Sequence, residues 1–319
     1  MSEKLKNIVI LGGGTAGWLC AAVLAKRLTG HPVKVSLVES EEIGLIGVGE
    51  ATIPPIRAAL SFLGIDEKHF VRETRGSFKL GIEFVDWFRQ ADAYLHPFGA
   101  FGVDWDGVPF HQHFLRYRAL GGDIGYQDCS LTATAAKNGK FCSAPDSTVL
   151  QRNWNYAFHF DSALAAPFFR NFAEQQGVQR IEGVVKDALQ DEDGFITSLL
   201  LKNGQSVSGE FFIDCSGFRS KLLGETLDTP FDDWSDTLFC DTAIAAPSLR
   251  NAPARPYTRA VARAAGWQWE IPLAHRDGNG YVFSSRHTDV DAARETLVAS
   301  LGDRIAAEPR LIHFKPGRR

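Results

Sequence analysis

The sequence predicts an α/β fold, a Rossmann-like module joined to an additional mixed β-sheet region. Three observations carry that prediction. An apolar run, Ile8-Val9-Ile10-Leu11, leads into Gly12-Gly13-Gly14-Thr15-Ala16-Gly17 and then into a run of helix formers over residues 21–28. A second apolar strand, residues 33–38, follows the helix and ends in Glu39. A series of short strand-like segments fills the later chain, and it is separated by turn signals.

The first stretch is a strand, a glycine turn and a helix, with glycines at the first, third and sixth places of GxGxxG. Gly12 permits the tight turn, Gly14 lets a pyrophosphate approach the backbone, and Gly17 lets helix and strand pack closely. Thr15 and Ala16 occupy the first helical turn, where free N–H groups and the positive dipole end face the phosphates. Glu39 stands where an acid can accept hydrogen bonds from a ribose hydroxyl pair. The same residues in an ordinary packed strand-turn-helix would need no such acid.

The second glycine-rich segment, residues 43–52, forms a loop whose backbone can lie flat against a planar ligand; Gly49 and Ala51 belong to it. Pro54 and Pro55 open a helix to about Leu63, which Gly64 ends. Asp66 caps a short helix to about Thr74. Residues 77–87 alternate as a strand, with Phe78, Leu80, Ile82 and Phe84 on one face and Ser77, Lys79, Gly81 and Glu83 on the other. Alternation alone makes Lys79 a solvated lysine on a polar face. Residues 94–126 are rich in aromatics, histidine and glycine. A strand there would bring His111 and His113 together, but two histidines without a third ligand make a poor metal site.

Asp161 caps a helix that stops at Gly177. Three strands follow, at 184–189, 196–201 and 206–213, separated by Asp193-Gly194 and Asn203-Gly204. The last enters Asp214-Cys215-Ser216-Gly217, an acid followed by small residues. Such a tip can contact a ribityl or ribose hydroxyl, and equally it can be a plain strand end with a turn. Residues 237–285 read as strands of another sheet, with Trp267, Trp269 and Ile271 on one face and a hairpin turn at Asp277-Gly278-Asn279-Gly280. A helix over 288–301, ended by Gly302, precedes a short strand at 311–314.

Composition narrows the classes. Of 319 residues, 45% are hydrophobic and 23% charged, enough for a core and for one large or two smaller domains. A net charge of -4 with no long basic block argues against nucleic acid. No apolar run is long enough to span a bilayer, and no signal peptide is recognisable. The five scattered cysteines read as reduced thiols of a cytoplasmic protein.

Taken together, GxGxxG, the Gly47-Val48-Gly49-Glu50-Ala51-Thr52-Ile53-Pro54 loop, Lys79, Asp214-Cys215-Ser216-Gly217 and the WxWxIP motif at residues 267–272 resemble the flavin-dependent tryptophan halogenases. The resemblance implies a flavin monooxygenase-like architecture. Its FAD module spans about 1–86 and 150–224, and its substrate-side sheet about 87–149 and 225–319. It implies FAD, bound by Gly12, Gly14, Thr15, Ala16, Gly17, Glu39, Gly49, Ala51, Val185, Asp214 and Gly217. A transient flavin reductase supplies the reduced form, and halide and oxygen are co-substrates. On that resemblance, a flavin hydroperoxide would yield hypohalous acid, which Lys79 would pass to an electron-rich aromatic such as an indole. The resemblance also implies that Trp267 and Trp269 separate the flavin from the substrate; Phe98 and Phe101 are candidates for an aromatic wall. Members of the family continue beyond a strand like 311–314, so the sequence reads as truncated, with reduced flavin affinity and doubtful activity expected. Two competing expectations are an aromatic hydroxylase, which needs neither Lys79 nor the tryptophan pair, and a non-catalytic FAD-binding remnant.

Overall fold

Among the described residues the strands form five sheets, of which a four-stranded and a seven-stranded sheet are the largest and a small three-stranded one carries Lys79. The computed structural model describes residues 5–43, 49–144, 148–250 and 252–319, so residues 44–48 of the second glycine segment lie outside the described residues. The first sheet is parallel, in the order Phe211–Asp214, Asn7–Leu11, Lys34–Glu39, Gln179–Glu182. Asn7–Leu11 is at its centre, so Ile8, Val9, Ile10 and Leu11 are all buried. Helix Thr15–Arg27 packs against helix Ser162–Gln175, with Trp18, Ala21, Ala22, Ala165 and Phe169 in the shared core. Asp161 caps the second helix by accepting from the N–H of Ala163, as its sequence position predicts.

The segment after this helix departs from expectation in two ways. Gln179–Glu182 forms the fourth parallel strand, although its polar pattern gave no strand signal. The strand expected over 206–213 is two strands. Ser206–Ser208 closes a three-stranded antiparallel sheet with Val185–Gln190 and Ile196–Leu201, whereas Phe211–Asp214 crosses to pair with Asn7–Leu11. The chain passes between the sheets at Gly209, where a Cβ would come 2.7 Å from Val9, so a side chain there would crowd the first strand.

The large sheet has seven strands, in the order Arg310–His313, Thr242–Ser248, Asp277–Phe283, Gly266–Pro272, Thr258–Arg263, Gly81–Val85, Ala93–Pro97. All neighbours are antiparallel except Thr258–Arg263 with Gly81–Val85. The turn expected at 277–280 is instead the start of a strand, with Asp277 and Asn279 buried. The reversal falls at residues 273–276, closed by the Leu273 N–H to the Arg276 carbonyl. The Asp-Gly-Asn-Gly run serves close packing: a Cβ on Gly280 would stand 2.1 Å from the Trp269 ring. His111 and His113 lie on a helix, Phe110–Ala119, and not on a strand. Spaced two apart on a helix, they do not share a face.

The small sheet carries the functional argument. Its order is Glu50–Ala51, Ala157–Phe160, Ser77–Lys79. The strand expected over 77–87 breaks at Leu80. Its first part, Ser77–Lys79, pairs with Ala157–Phe160, and its second, Gly81–Val85, enters the large sheet. Leu80 spans the join, donating to the Pro256 carbonyl and accepting from the Phe98 N–H. Phe70 fixes this sheet from below, with its ring 5.5–5.8 Å from those of Phe158, Phe160, Phe168 and Phe169. Aromatic pairs at such distances each contribute about 1 kcal/mol beyond their buried area.

Candidate active site

Two places concentrate the residues singled out by the sequence. The first is a cavity of about 830 Å³ at the carboxyl end of the parallel sheet, where open α/β sheets bind ligands. Gly12, Gly13, Gly14, Glu39, Val185 and Gly217 line it together. Gly12 has φ 118°, and a Cβ there would meet the Cys215 carbonyl at 2.2 Å. Gly17 brings the helix against the Gly12 carbonyl, where a Cβ would be 1.9 Å away. Gly14 begins the helix with no side-chain cap and no acid in the first turn, so the first N–H groups are open to an anion. Thr15 and Ala16 form that first turn.

Glu39 lies over Gly13, whose missing side chain makes the space for the carboxylate. One carboxylate oxygen accepts from Arg180 Nε at 2.6 Å and the other from Trp18 Nε1 at 3.2 Å. Arg170 stands 3.7 Å from the first. These partners hold Glu39 in one orientation while leaving it further acceptor capacity. The sequence reading missed Trp18, Arg170 and Arg180, which come from elements far apart in the chain. Asp214 does not line the cavity; its carboxylate accepts from the Ser216 hydroxyl and from the N–H groups of Ser216, Leu222 and Leu223. Burial would raise its pKa, but these donors together bring it below the ordinary value. Asp214 thereby braces the turn that presents Gly217.

The second place is the lysine sheet. Lys79 is only 3% exposed, so the solvated polar face suggested by alternation is not what forms. Its Nζ donates to the Thr52 carbonyl at 3.0 Å and lies 5.2 Å from the centre of the Phe98 ring. Burial lowers its pKa to about 8, and no carboxylate among the described residues offsets that effect. Thr52 is held in turn by the central strand: its N–H and hydroxyl both reach the Phe158 carbonyl, at 2.9 and 2.7 Å.

Around the lysine, Ala51 pairs with His159, and Gly49, at φ 83°, packs beside Leu273 and Gly278. Trp267 and Trp269 are neighbours on the large sheet, with ring centres 6.2 Å apart. The Trp269 indole N–H is buried without an acceptor among the described residues. Phe101 stacks on Tyr126 at 4.4 Å. His159 escaped the sequence reading. It is wholly buried, and its signal was a lone histidine in the aromatic run 156–160. No group of three or more metal-ligating side chains occurs among the described residues, and no helix there is long and apolar enough to cross a membrane. All five cysteines are free.

The profile of the tryptophan halogenase family matches residues 7–319. The chain belongs to that family. Among relatives, it is 38% identical over 339 aligned positions to tryptophan 6-halogenase ThaL of Streptomyces albogriseolus, covering all of this chain and 63% of that protein. Tryptophan 7-halogenase RebH of Lentzea aerocolonigenes is 35% identical, over 92% of this chain and 59% of that one. Among solved structures, the flavin-dependent halogenase Xcc4156 of Xanthomonas campestris superposes with a TM-score of 0.93 at 42% identity, covering 99% of this chain and 63% of that one. The chain thus spans about three-fifths of the length of the relatives it matches. The family's fold, with its parallel FAD-type module and large mixed sheet, is the fold described above.

Proposed function

We propose that this chain provides the flavin-binding module and the catalytic lysine of a flavin-dependent halogenase acting on an indole or another electron-rich aromatic ring. The observation that carries the proposal is the buried Lys79 amine, held by a backbone carbonyl at the edge of a small sheet. Family membership gives that lysine its chemical context.

The cavity fits FAD on its own geometry. The uncapped helix start suits a pyrophosphate, Glu39 suits a ribose diol, and glycine at 12 lets the turn close against the Cys215 carbonyl. Gly12, Gly14, Glu39, Val185 and Gly217 would hold the cofactor. The chemistry FAD supplies when reduced and bound is the use of oxygen to convert a halide into hypohalous acid. A separate flavin reductase is the proposed source of the reduced form.

Lys79 suits the next step because of its pKa. Near neutral pH a desolvated amine with a pKa of about 8 samples both protonation states. The neutral amine takes the electrophilic halogen from hypohalous acid and releases water, forming an N–halogen bond as the O–halogen bond breaks. The ammonium form instead donates a hydrogen bond to the hypohalous acid and polarises it. Either route delivers halogen to an aromatic ring. Trp267 and Trp269 are the proposed partition between the flavin and substrate sides, and Phe98, at 5.2 Å from Nζ, the proposed wall nearest the lysine.

The test measures binding of oxidised and reduced FAD by fluorescence quenching, then product formation with a flavin reductase, bromide and indole. Lys79→Ala is expected to keep flavin binding and to lower halogenated product by at least about 100-fold. Halogenated product surviving in Lys79→Ala would overturn the assignment. Hydroxylated indole in its place would identify an aromatic hydroxylase.

A further inference from the structure

Behind Lys79 lies a hydrogen-bonded chain that the halogenation chemistry above does not use. The Ser77 hydroxyl lies 2.5 Å from the Pro272 carbonyl and 2.9 Å from His159 Nδ1. On the other side of the ring, His159 Nε2 lies 2.9 Å from the Thr258 hydroxyl. Pro272 closes the WxWxIP motif, so the chain ties the tryptophan strand to the lysine strand.

Donor and acceptor counting fixes every proton in it. A carbonyl oxygen only accepts, so the single Ser77 proton must point to Pro272. Two acceptors 2.5 Å apart without that proton would repel. Ser77 Oγ then accepts from His159, which places a proton on Nδ1. His159 Nε2 is left with its lone pair and accepts from the Thr258 hydroxyl. Each group is used once, and the ring is neutral. It is wholly buried, and burial first and the Lys79 charge second push its pKa well below the ordinary 6.5. Among the described residues, Lys79 is the one charge acting on it.

Strand register places the ring relative to the lysine. Ser77 is opposite His159, and Lys79 is opposite Ala157. Cross-strand partners and alternate residues share a face, so Lys79 and His159 are diagonal neighbours on one side of the sheet. The small Ala157 side chain leaves that diagonal unobstructed.

We infer that His159 is a positioning residue for Lys79: locked as the Nδ1–H tautomer, it turns the positive edge of its ring, rather than a lone pair, toward the strand that carries the lysine. A lone pair on that edge would favour the ammonium. The N–H edge instead supports the neutral amine, and it does so without adding a second charge to the interior. This deepens the role proposed for Lys79 and rests on it.

The test uses the full 319-residue chain labelled with 15N-histidine and 13C-lysine, with His159→Gln and Lys79→Arg to assign the two resonances. In the wild type, the His159 ring is expected to show a protonated Nδ1 and an unprotonated Nε2. This measurement does not depend on the Ser77 variant folding. Ser77→Ala is expected to switch the ring to Nε2–H, bonded to Thr258, and to raise the Lys79 midpoint by about half a unit or more. Thr258→Ser keeps the donor hydroxyl and should leave both values unchanged. An Nε2–H ring in the wild type overturns the inference, as does an unmoved tautomer or an unmoved Lys79 midpoint in a folded Ser77→Ala variant. Halogenation that survives Lys79→Ala overturns the role of Lys79 but leaves the tautomer assignment standing.

Discussion

The nucleotide cavity and the lysine sheet reach opposite kinds of reactivity. At the cavity the useful groups are backbone N–H groups at a helix start, and the side chains matter chiefly by being absent, at Gly12, Gly13 and Gly17. At the lysine sheet one side chain matters, and its reactivity comes from being shut away from water. The first arrangement tolerates no added atom. The second tolerates no added solvent or charge. A region that works through its backbone should therefore fail on small enlargements, and a region that works by burial should be strained by the group it buries.

The largest expected effect breaks the cavity side. Gly12→Ala places a Cβ 2.2 Å from a backbone oxygen at a φ that disfavours alanine. It should destabilise the chain by about 4 kcal/mol or more and abolish FAD quenching. Wild-type flavin affinity in a folded Gly12→Ala variant would mean the turn can move aside.

The lysine side gives an effect of opposite sign. Because burial brings Lys79 from an ordinary 10.5 to about 8, the unfolded chain binds more protons between those values, so stability should rise with pH from about 8 to about 10.5. Lys79→Met removes the buried charge. It should stabilise the protein at pH 7 by up to about 3 kcal/mol and flatten that part of the profile. Denaturant melts at pH 7 and pH 10 read both, and a less stable Lys79→Met variant at pH 7 would show that the amine is not desolvated.

The smallest effect concerns the contact between the regions. Asp161 caps the helix beside the parallel sheet and also pairs with Arg276, at 2.9 Å, on the turn after the WxWxIP strand. Asp161→Asn keeps an acceptor for the cap but weakens the pair, so it should cost about 1 kcal/mol and lower Tm by a few degrees. An unchanged Tm would indicate that the backbone and Ser77–Pro272 bonds, and not this ion pair, secure the join.

The same contrast explains what the sequence revealed. A backbone cradle leaves a local signature, because glycines at fixed spacing are what the geometry demands; the GxGxxG turn and the strand ending in Glu39 were both legible. Burial leaves none. Lys79 alternates with apolar residues just as a solvated strand lysine does. What buries it is Thr52, Phe98 and the Ala157–Phe160 strand, brought together only by the tertiary fold. His159 was hidden for the same reason, since its partners Ser77 and Thr258 are 82 and 99 residues away. The strand break at Leu80 was invisible because the alternation continues through it, and only the pairing partners change. The Asp277–Gly280 run misled because its glycines answer to packing and not to a turn, and Gln179–Glu182 was missed because hydrogen bonding, rather than hydrophobicity, makes it a strand.

The packing of Trp269 over Gly280 bears on how this protein can be altered. The two positions face each other on adjacent strands, and the space denied to residue 280 is taken by the indole and by the Ile244 carbonyl. A saturation library at position 280 alone should return only glycine among folded clones, however permissive the screen. Reducing position 269 in the same clone would clear the ring but leave the Ile244 carbonyl 2.7 Å from the same Cβ, so position 280 stays glycine whatever stands at 269.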